Sequence, residues 1–207
     1  MNTPKLAIIT SGGANFYSIE VALKRLGVSY QLTTDKEVVN NADGVIFPGV
    51  GSAGFAMKQL QQHDLIDTIR NYKKPLLGIC LGMQLLYEYS NEDGVDCLGI
   101  MPGKVERFDD SPQLVVPQMG WNNIDKKTES PLLNDFDMKK DVYFVHSYYA
   151  PVNSVTVASC NYGVDFTAIS HYKNFYGMQF HPEKSGVAGA QLIKNFIEVV
   201  NGNLSGN

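Results

Sequence analysis

Lys74-Pro75-Leu76-Leu77-Gly78-Ile79-Cys80-Leu81-Gly82-Met83-Gln84-Leu85-Leu86 reads as a buried strand, a sharp turn and a helix, with a cysteine at the bend. Pro75 can open a strand but not sit inside one, Leu76 and Leu77 begin an apolar run, and Met83 to Tyr89 carries apolar residues at helical spacing. Gly78-Ile79-Cys80-Leu81-Gly82 has the Gly-x-nucleophile-x-Gly form of a nucleophile elbow, whose glycines let the backbone crowd into a strained turn. The start of the following helix lies against the thiol, where the positive end of the helix dipole favours thiolate. Free cysteine is also among the most buried residue types, so the pentapeptide alone fits a packed Cys80 equally well.

Upstream of the bend, strand and helix alternate. Leu6 to Thr10 reads as a buried strand, Ser11 to Asn15 as a turn and Phe16 to Leu26 as an amphipathic helix, with Asn15 as N-cap and Gly27 as C-cap. Ser29 to Thr33 and Gly44 to Phe47 are further strands, and helical spacing returns in Phe55 to Leu60 and Leu65 to Tyr72. This alternation predicts an α/β fold with a mostly parallel sheet. Phe47 to Gly54 is a glycine-rich loop at the end of the third strand, where open sheets of this class bind ligands.

Downstream the texture changes to short strands and turns: Gly103 to Phe108, Tyr143 to Val145, Val155 to Cys160, Phe166 to His171 and Phe175 to Phe180, with turns at Asn161-Tyr162-Gly163 and Lys173-Asn174. No Ser/Pro-rich linker separates this half, so it is expected as an added antiparallel portion of one domain spanning 1–207. Gly186 to Val200 closes the chain as an amphipathic helix, and 201–207 is expected to fray.

The 207 residues suffice for one substantial core; 44% are hydrophobic and 18% charged, as in ordinary soluble proteins. No apolar run approaches the ~20 residues of a membrane helix, and Leu6 to Ile9 is too short for a signal-peptide core, so the expected location is the cytoplasm with no membrane contact. Three cysteines at unrelated spacings give neither a disulfide framework nor a metal site. A net charge of −4 with scattered Lys and Arg offers no basic stripe for nucleic acid.

A cysteine nucleophile needs a base, and the base a partner that fixes its tautomer. Of the four histidines, His63 sits in a polar stretch, His171 ends a strand beside Tyr172-Lys173-Asn174, and His146 follows an apolar strand where a structural hydrogen bond is the expectation. His181 ends the strand Tyr176 to Phe180 and is followed by Pro182 and Glu183, placing an imidazole and a carboxylate two residues apart on one stiffened turn. Alone, His-Pro-Glu also fits an accidental surface turn.

Taken together, Gly78 to Gln84 and Gln179-Phe180-His181-Pro182-Glu183 resemble the class I (triad) glutamine amidotransferases, of flavodoxin-like fold. Phe47-Pro48-Gly49-Val50-Gly51, Val116 to Asn122, Tyr143 to Tyr149 and Gln179 to Gly186 narrow the resemblance to the glutaminase subunits of imidazole glycerol phosphate synthase. It runs from the first strand to the last helix.

The resemblance implies a thioester mechanism without cofactor or metal. Cys80 attacks the glutamine amide, His181 shuttles the proton to ammonia, and Glu183 orients His181. The backbone N–H groups of Leu81 and of the Gly49-Val50-Gly51 loop, at Val50, would meet the oxyanion, each such donor being worth about 3 kcal/mol. Glycines beside Val50 permit a peptide-plane rotation, so the hole is expected to be completed when a partner binds. Gln84, Ser147 and Tyr148 would hold the substrate glutamine, and Asn15, Trp121, Asn122 and Lys184 would face a (β/α)8-barrel cyclase subunit in a heterodimer of the histidine pathway. Free ammonia would be lost to water, and the chain has no region left for a synthase domain, hence the separate partner.

Gln118 stands where many relatives have histidine, and Ala14 where glycine commonly precedes Asn15. These departures leave open a paralogue that supplies ammonia to a sugar-nucleotide amidotransferase. A non-catalytic regulatory module of the same fold is the alternative of another class, opposed by the intact cysteine, histidine and glutamate. Dinucleotide binding at Gly12-Gly13 lacks a Gly-x-Gly-x-x-Gly, and phosphate binding at Pro48 to Gly54 lacks the Lys-Ser/Thr pair.

Overall fold

A computed structural model describes residues 4–10, 16–49, 51–109 and 114–204. The first half alternates strand and helix: β1 (Lys5–Ile9), α1 (Tyr17–Arg25), β2 (Ser29–Thr33), α2 (Lys36–Asn41), β3 (Gly44–Gly49), α3 (Ala53–Gln62), α4 (Leu65–Arg70), β4 (Leu76–Cys80) and α5 (Leu81–Gln84). The second half is mainly strands: β5 (Tyr89–Ser90), β6 (Val95–Asp96), β7 (Lys104–Arg107), β8 (Gln118–Asn122), β9 (Asp125–Lys126), β10 (Val142–His146), β11 (Tyr148–Tyr149), β12 (Thr156–Tyr162), β13 (Val164–Tyr172) and β14 (Phe175–Met178), closed by α6 (Gly186–Val200).

An eight-stranded sheet in the order β2-β1-β3-β4-β14-β13-β12-β9 carries both halves. Its first five strands pair in parallel and the rest antiparallel, so the antiparallel portion extends the same sheet through the β14–β4 pairing. The central strands are apolar runs because both faces are covered. Leu6, Ile8, Ile46, Leu77 and Ile79 pack with Ile19 and Leu23 of α1 and with α6. Their neighbours Ala7, Ile9, Val45, Phe47 and Leu76 pack on the other face with Val39, Leu60, Leu65 and Ile69 of α2, α3 and α4.

Several elements differ from the sequence reading. The helix after the bend is a single turn rather than running on to Tyr89. Leu85, Leu86 and Tyr87 are fully buried, and their carbonyls accept from Leu98, Gly99, Ile100 and Met101 instead of from later helical residues. β3 extends through Pro48 to Gly49, tolerating proline because β1 pairs with it only as far as Ile46. Phe16 is the N-cap of α1, and the expected N-cap Asn15 and the 11–15 turn lie outside the described residues. Gly27 has the expected left-handed φ of +69°. The helix α2 and the strands β5, β6, β8, β9 and β11 have no counterpart in the sequence reading.

Candidate active site

The bend is built by close backbone approach. Cys80 ends β4 with φ 54° and ψ −114°, a conformation non-glycine residues seldom adopt. A Cβ on Gly82 would stand 1.8 Å from the Phe47 carbonyl oxygen, and one on Gly78 would stand 2.7 Å from Gly82 O and Met83 N. Both flanking glycines are therefore required by backbone contact. The helix that follows Cys80 is a single turn and sums few peptide dipoles.

His181 leaves the adjacent strand β14 through a 3₁₀ turn, Pro182–Lys184. Its N–H donates to Tyr143 O at 2.9 Å; Ser185 Oγ donates to His181 O at 2.7 Å and accepts from Tyr143 N at 2.9 Å. His181 Nδ1 lies 2.8 Å from Glu183 Oε1, with side chains only 9% and 5% exposed. Burial disfavours the imidazolium, but hydrogen bonds to Cys80 and Glu183, reinforced by their charges, outweigh it and push His181 up to about 10. The structure thus brings Cys80, His181 and Glu183 together at the carboxyl ends of neighbouring strands.

A cavity of about 380 Å³ opens onto Cys80 and His181, lined also by Gly49, Gly51, Leu81 and Gln84, by Pro117 and Val145 to Tyr148, and by Glu92 and Lys184. Gly49 is in register with Cys80, and a Cβ on it would stand 2.8 Å from Gly82 N, which keeps the loop against the elbow. Gly51 has φ +92°; Val50 lies outside the described residues. Gln84, expected at the substrate, is buried and donates to Tyr148 O at 2.7 Å and to Gln179 Oε1 at 2.9 Å. Ser147 and Tyr148 line the cavity as expected, with the Tyr148 carbonyl held additionally by His146 Nδ1 at 2.7 Å.

Three further residues at the site carry no substrate or catalytic role in the sequence reading. Gln179 is buried and directs Nε2 at Cys80 Sγ, 3.8 Å away. His146 meets the expectation of a structural hydrogen bond, yet it also lines the cavity; burial pushes it down to about 4, so it is neutral. Glu92 reaches the cavity from the β5–β6 hairpin and accepts from Ala53 N at 2.9 Å, and burial raises its carboxyl above the usual range. Gln179 and His146 fall within the stretches that carry the family resemblance but owe their places at the cavity to strand register, and no local pattern marks Glu92, which a hairpin brings in.

The remaining histidines stay away from the chemistry. His63 is exposed, and His171 stacks on Tyr176 at 4.2 Å with Nε2 2.7 Å from Lys173 O. Burial pushes the Cys97 and Cys160 thiols up to about 12, which makes them poor nucleophiles. Among the described residues no cluster of three or more His, Cys, Asp or Glu side chains could hold a metal ion, and no helix is long and apolar enough to cross a membrane.

Beside the cavity, Met119 and Trp121 project from the same face of β8, 65% and 53% exposed, and Trp121 meets Tyr143 edge-on at 5.7 Å. Lys184 is exposed on the cavity rim. Asn122 lies on the opposite face of β8, where its Oδ1 accepts from the buried Gln118 Nε2 at 2.9 Å. Gln118 is thus an interior residue, while Ala14 and Asn15 lie outside the described residues.

The family model for Glutamine amidotransferase class-I matches residues 7–200. An imidazole glycerol phosphate synthase subunit HisH from Vibrio parahaemolyticus is 45% identical over 205 residues, covering 96% of this chain and 100% of that protein. A HisH subunit from Bacteroides fragilis is 48% identical over 198 residues, covering 94% and 100%. A solved glutamine amidotransferase from Thermotoga maritima superposes with a TM-score of 0.63 at 19% identity, covering 98% of this chain and 84% of that one.

Proposed function

The chain belongs to the class I glutamine amidotransferases, and on that premise we propose that it is the glutaminase subunit of an imidazole glycerol phosphate synthase in histidine biosynthesis. It hydrolyses glutamine to glutamate and passes ammonia to a cyclase subunit, read here as a (β/α)8 barrel bound as a heterodimer. The observation that carries the chemistry is the buried 2.8 Å His181–Glu183 contact beside a cysteine on a strained elbow.

In the reaction this geometry supports, the Cys80 sulfur attacks the side-chain amide carbon of glutamine. The carbonyl oxygen gains negative charge and turns toward the N–H of Leu81 and the Gly49–Gly51 loop. His181 gives its proton to the leaving nitrogen, the C–N bond breaks, and a thioester remains. Water then attacks with His181 as base, releasing glutamate and returning the free cysteine sulfur and the protonated imidazole to their starting state. Glu183 holds Nδ1, so Nε2 is the atom that exchanges protons.

Recognition of the amino-acid end is assigned to Gln84, Ser147 and Tyr148, with Glu92 offering negative charge to the α-ammonium. Trp121 and Lys184 form the docking face for the cyclase, a wide aromatic anchor beside a cation on the cavity rim. Glutamate release measured for the chain alone and with the cyclase tests the reading. Completion of one oxyanion donor predicts a rise of about 10² on binding. Equal rates would remove the partner switch, and no glutamate from the complex would remove the glutaminase itself.

A further inference from the structure

Tyr148, Gln84, Gln179 and Cys80 form a chain of hydrogen bonds whose direction is fixed at one end. The Tyr148 carbonyl can only accept, so the Gln84 atom 2.7 Å from it is the amide nitrogen, Nε2. With its second N–H the same nitrogen donates to Gln179 Oε1 at 2.9 Å. An amide whose oxygen faces Gln84 turns its nitrogen the other way, and Gln179 Nε2 stands 3.8 Å from Cys80 Sγ. A backbone carbonyl thus decides, through two glutamines, that the sulfur meets an N–H and not an oxygen. His146 Nδ1, 2.7 Å from the same carbonyl, holds that carbonyl in place.

The far end of the chain is equally constrained. Gln179 follows β14 directly, its backbone N–H donates to Ala168 O at 2.9 Å, and its side chain is fully buried. Met178 pairs with Ile79, so parallel register sets Gln179 beside Cys80. On another side of the sulfur the Val145 carbonyl oxygen lies 3.9 Å away, an acceptor that suits an S–H and repels charge on sulfur. A neutral thiol is a weak acceptor, so a buried amide nitrogen aimed at one gains little from packing alone. The bond strengthens when the sulfur carries charge, which happens only in the chemistry.

We infer that Gln179 is a catalytic residue, the side chain that holds the nucleophilic sulfur on its line of attack and balances the charge that gathers on it. The inference rests on the glutaminase reading above. In the first half of the reaction the sulfur electron pair forms the C–S bond while the C–N bond breaks and His181 supplies the proton to nitrogen. In the second half water gives a proton to His181 and forms the C–O bond. The C–S bond then breaks and its electron pair returns to sulfur, toward which the Gln179 N–H points. Gln179 is not among the residues lining the cavity, so losing its N–H acts on turnover and leaves glutamine binding nearly intact.

The test is steady-state glutamate release by the complex with the cyclase subunit, together with the saturating rate at which a chloroketone analogue of glutamine alkylates Cys80. Gln179→Met keeps the length and removes the N–H; kcat and the alkylation rate are expected to fall about tenfold, with KM within about twofold. Gln179→Glu keeps the shape and the acceptor for Gln84 but turns an oxygen toward the sulfur. It is expected to lower kcat further than Gln179→Met does, again with KM within about twofold. General loosening of the site predicts the reverse order, with KM moving alongside kcat. Should Gln179→Met fail to fold, Gln179→Glu decides alone. Should both fail, the side-chain N–H signals of Gln179 in NMR spectra of the wild type and of Cys80→Ala decide, and signals unmoved by loss of the sulfur overturn the inference. Turnover within about twofold of wild type in either variant, a loss confined to KM, or a smaller loss in Gln179→Glu than in Gln179→Met overturns it as well, while wild-type activity keeps the glutaminase reading. A wild-type complex that releases no glutamate overturns both.

Discussion

Glu183 Oε1 stands 2.8 Å from His181 Nδ1 with the carboxylate 95% shielded from solvent, and this contact, together with the hydrogen bond to Cys80, offsets the burial that disfavours a charged imidazole. Replacing Glu183 with Gln removes the charge and leaves a partner of the same shape. His181 is then expected to titrate well below its value of about 10, and kcat to fall about 10² as tautomer control is lost. Titration of the His181 ring by NMR in both proteins, with glutamate release alongside, checks the pair. An imidazole that titrates near 6.5 in the wild type would contradict it.

His146 carries the opposite shift, and its sign gives a stability prediction. The unfolded imidazole binds a proton near 6.5 and the folded one only near 4, so the contribution is fully present above about pH 6.5 and is lost as pH falls toward 4. The shift corresponds to on the order of 3 kcal/mol at neutral pH. His146→Asn, whose amide can still donate to Tyr148 O, is expected to flatten stability against pH across that window. Urea denaturation at several pH values measures it, and an unchanged slope counts against a buried neutral His146.

Gly82 and Phe47 make the elbow intolerant of any side chain at the second glycine. The obstruction is backbone on both sides, with a carbonyl oxygen 1.8 Å from the position of a Cβ, so no rotamer change relieves it. Gly82→Ala is expected to cost more than about 3 kcal/mol or to prevent folding. Gly27→Ala is a useful contrast: open space surrounds it, and only the positive φ is strained, costing about 1 kcal/mol. Chemical denaturation of the two variants side by side decides this, and comparable losses would contradict the backbone contact.

Trp121 is half exposed and meets Tyr143 edge-on, so its removal should leave the fold intact. If its face docks the cyclase, Trp121→Ala is expected to weaken the complex by about 2 kcal/mol, or roughly 30-fold in Kd. Calorimetric titration with the cyclase measures this, and an unchanged Kd moves the interface elsewhere.

The elements that could be read from sequence were those whose pattern is local and long enough to repeat. The α6 helix spans Gly186–Val200 as its apolar spacing indicates, and β1, β2 and β4 stand out as runs or strands bounded by turn residues. Two-residue strands such as β5 and β11 show no period at all, and α2 buries fully only Val39. The apolar pattern overextends the elbow helix because Leu85 to Tyr87 are fully buried outside any helix, their carbonyls bound by N–H groups of the Leu98–Met101 segment, and such a run mimics a helical stripe. Cys80, His181 and Glu183 were legible because glycine and proline mark the turns that hold them. Gln179, His146 and Glu92 owe their places to strand register and to a hairpin, and only the fold assembles those.

The most direct test of the account replaces Cys80 with Ala in the complex with the cyclase subunit, measuring glutamate release and, separately, imidazole glycerol phosphate formation from added ammonium. The account predicts that glutamate release falls to background while ammonium still supports the cyclase product at near wild-type rate. Glutamate release that survives the substitution would contradict it.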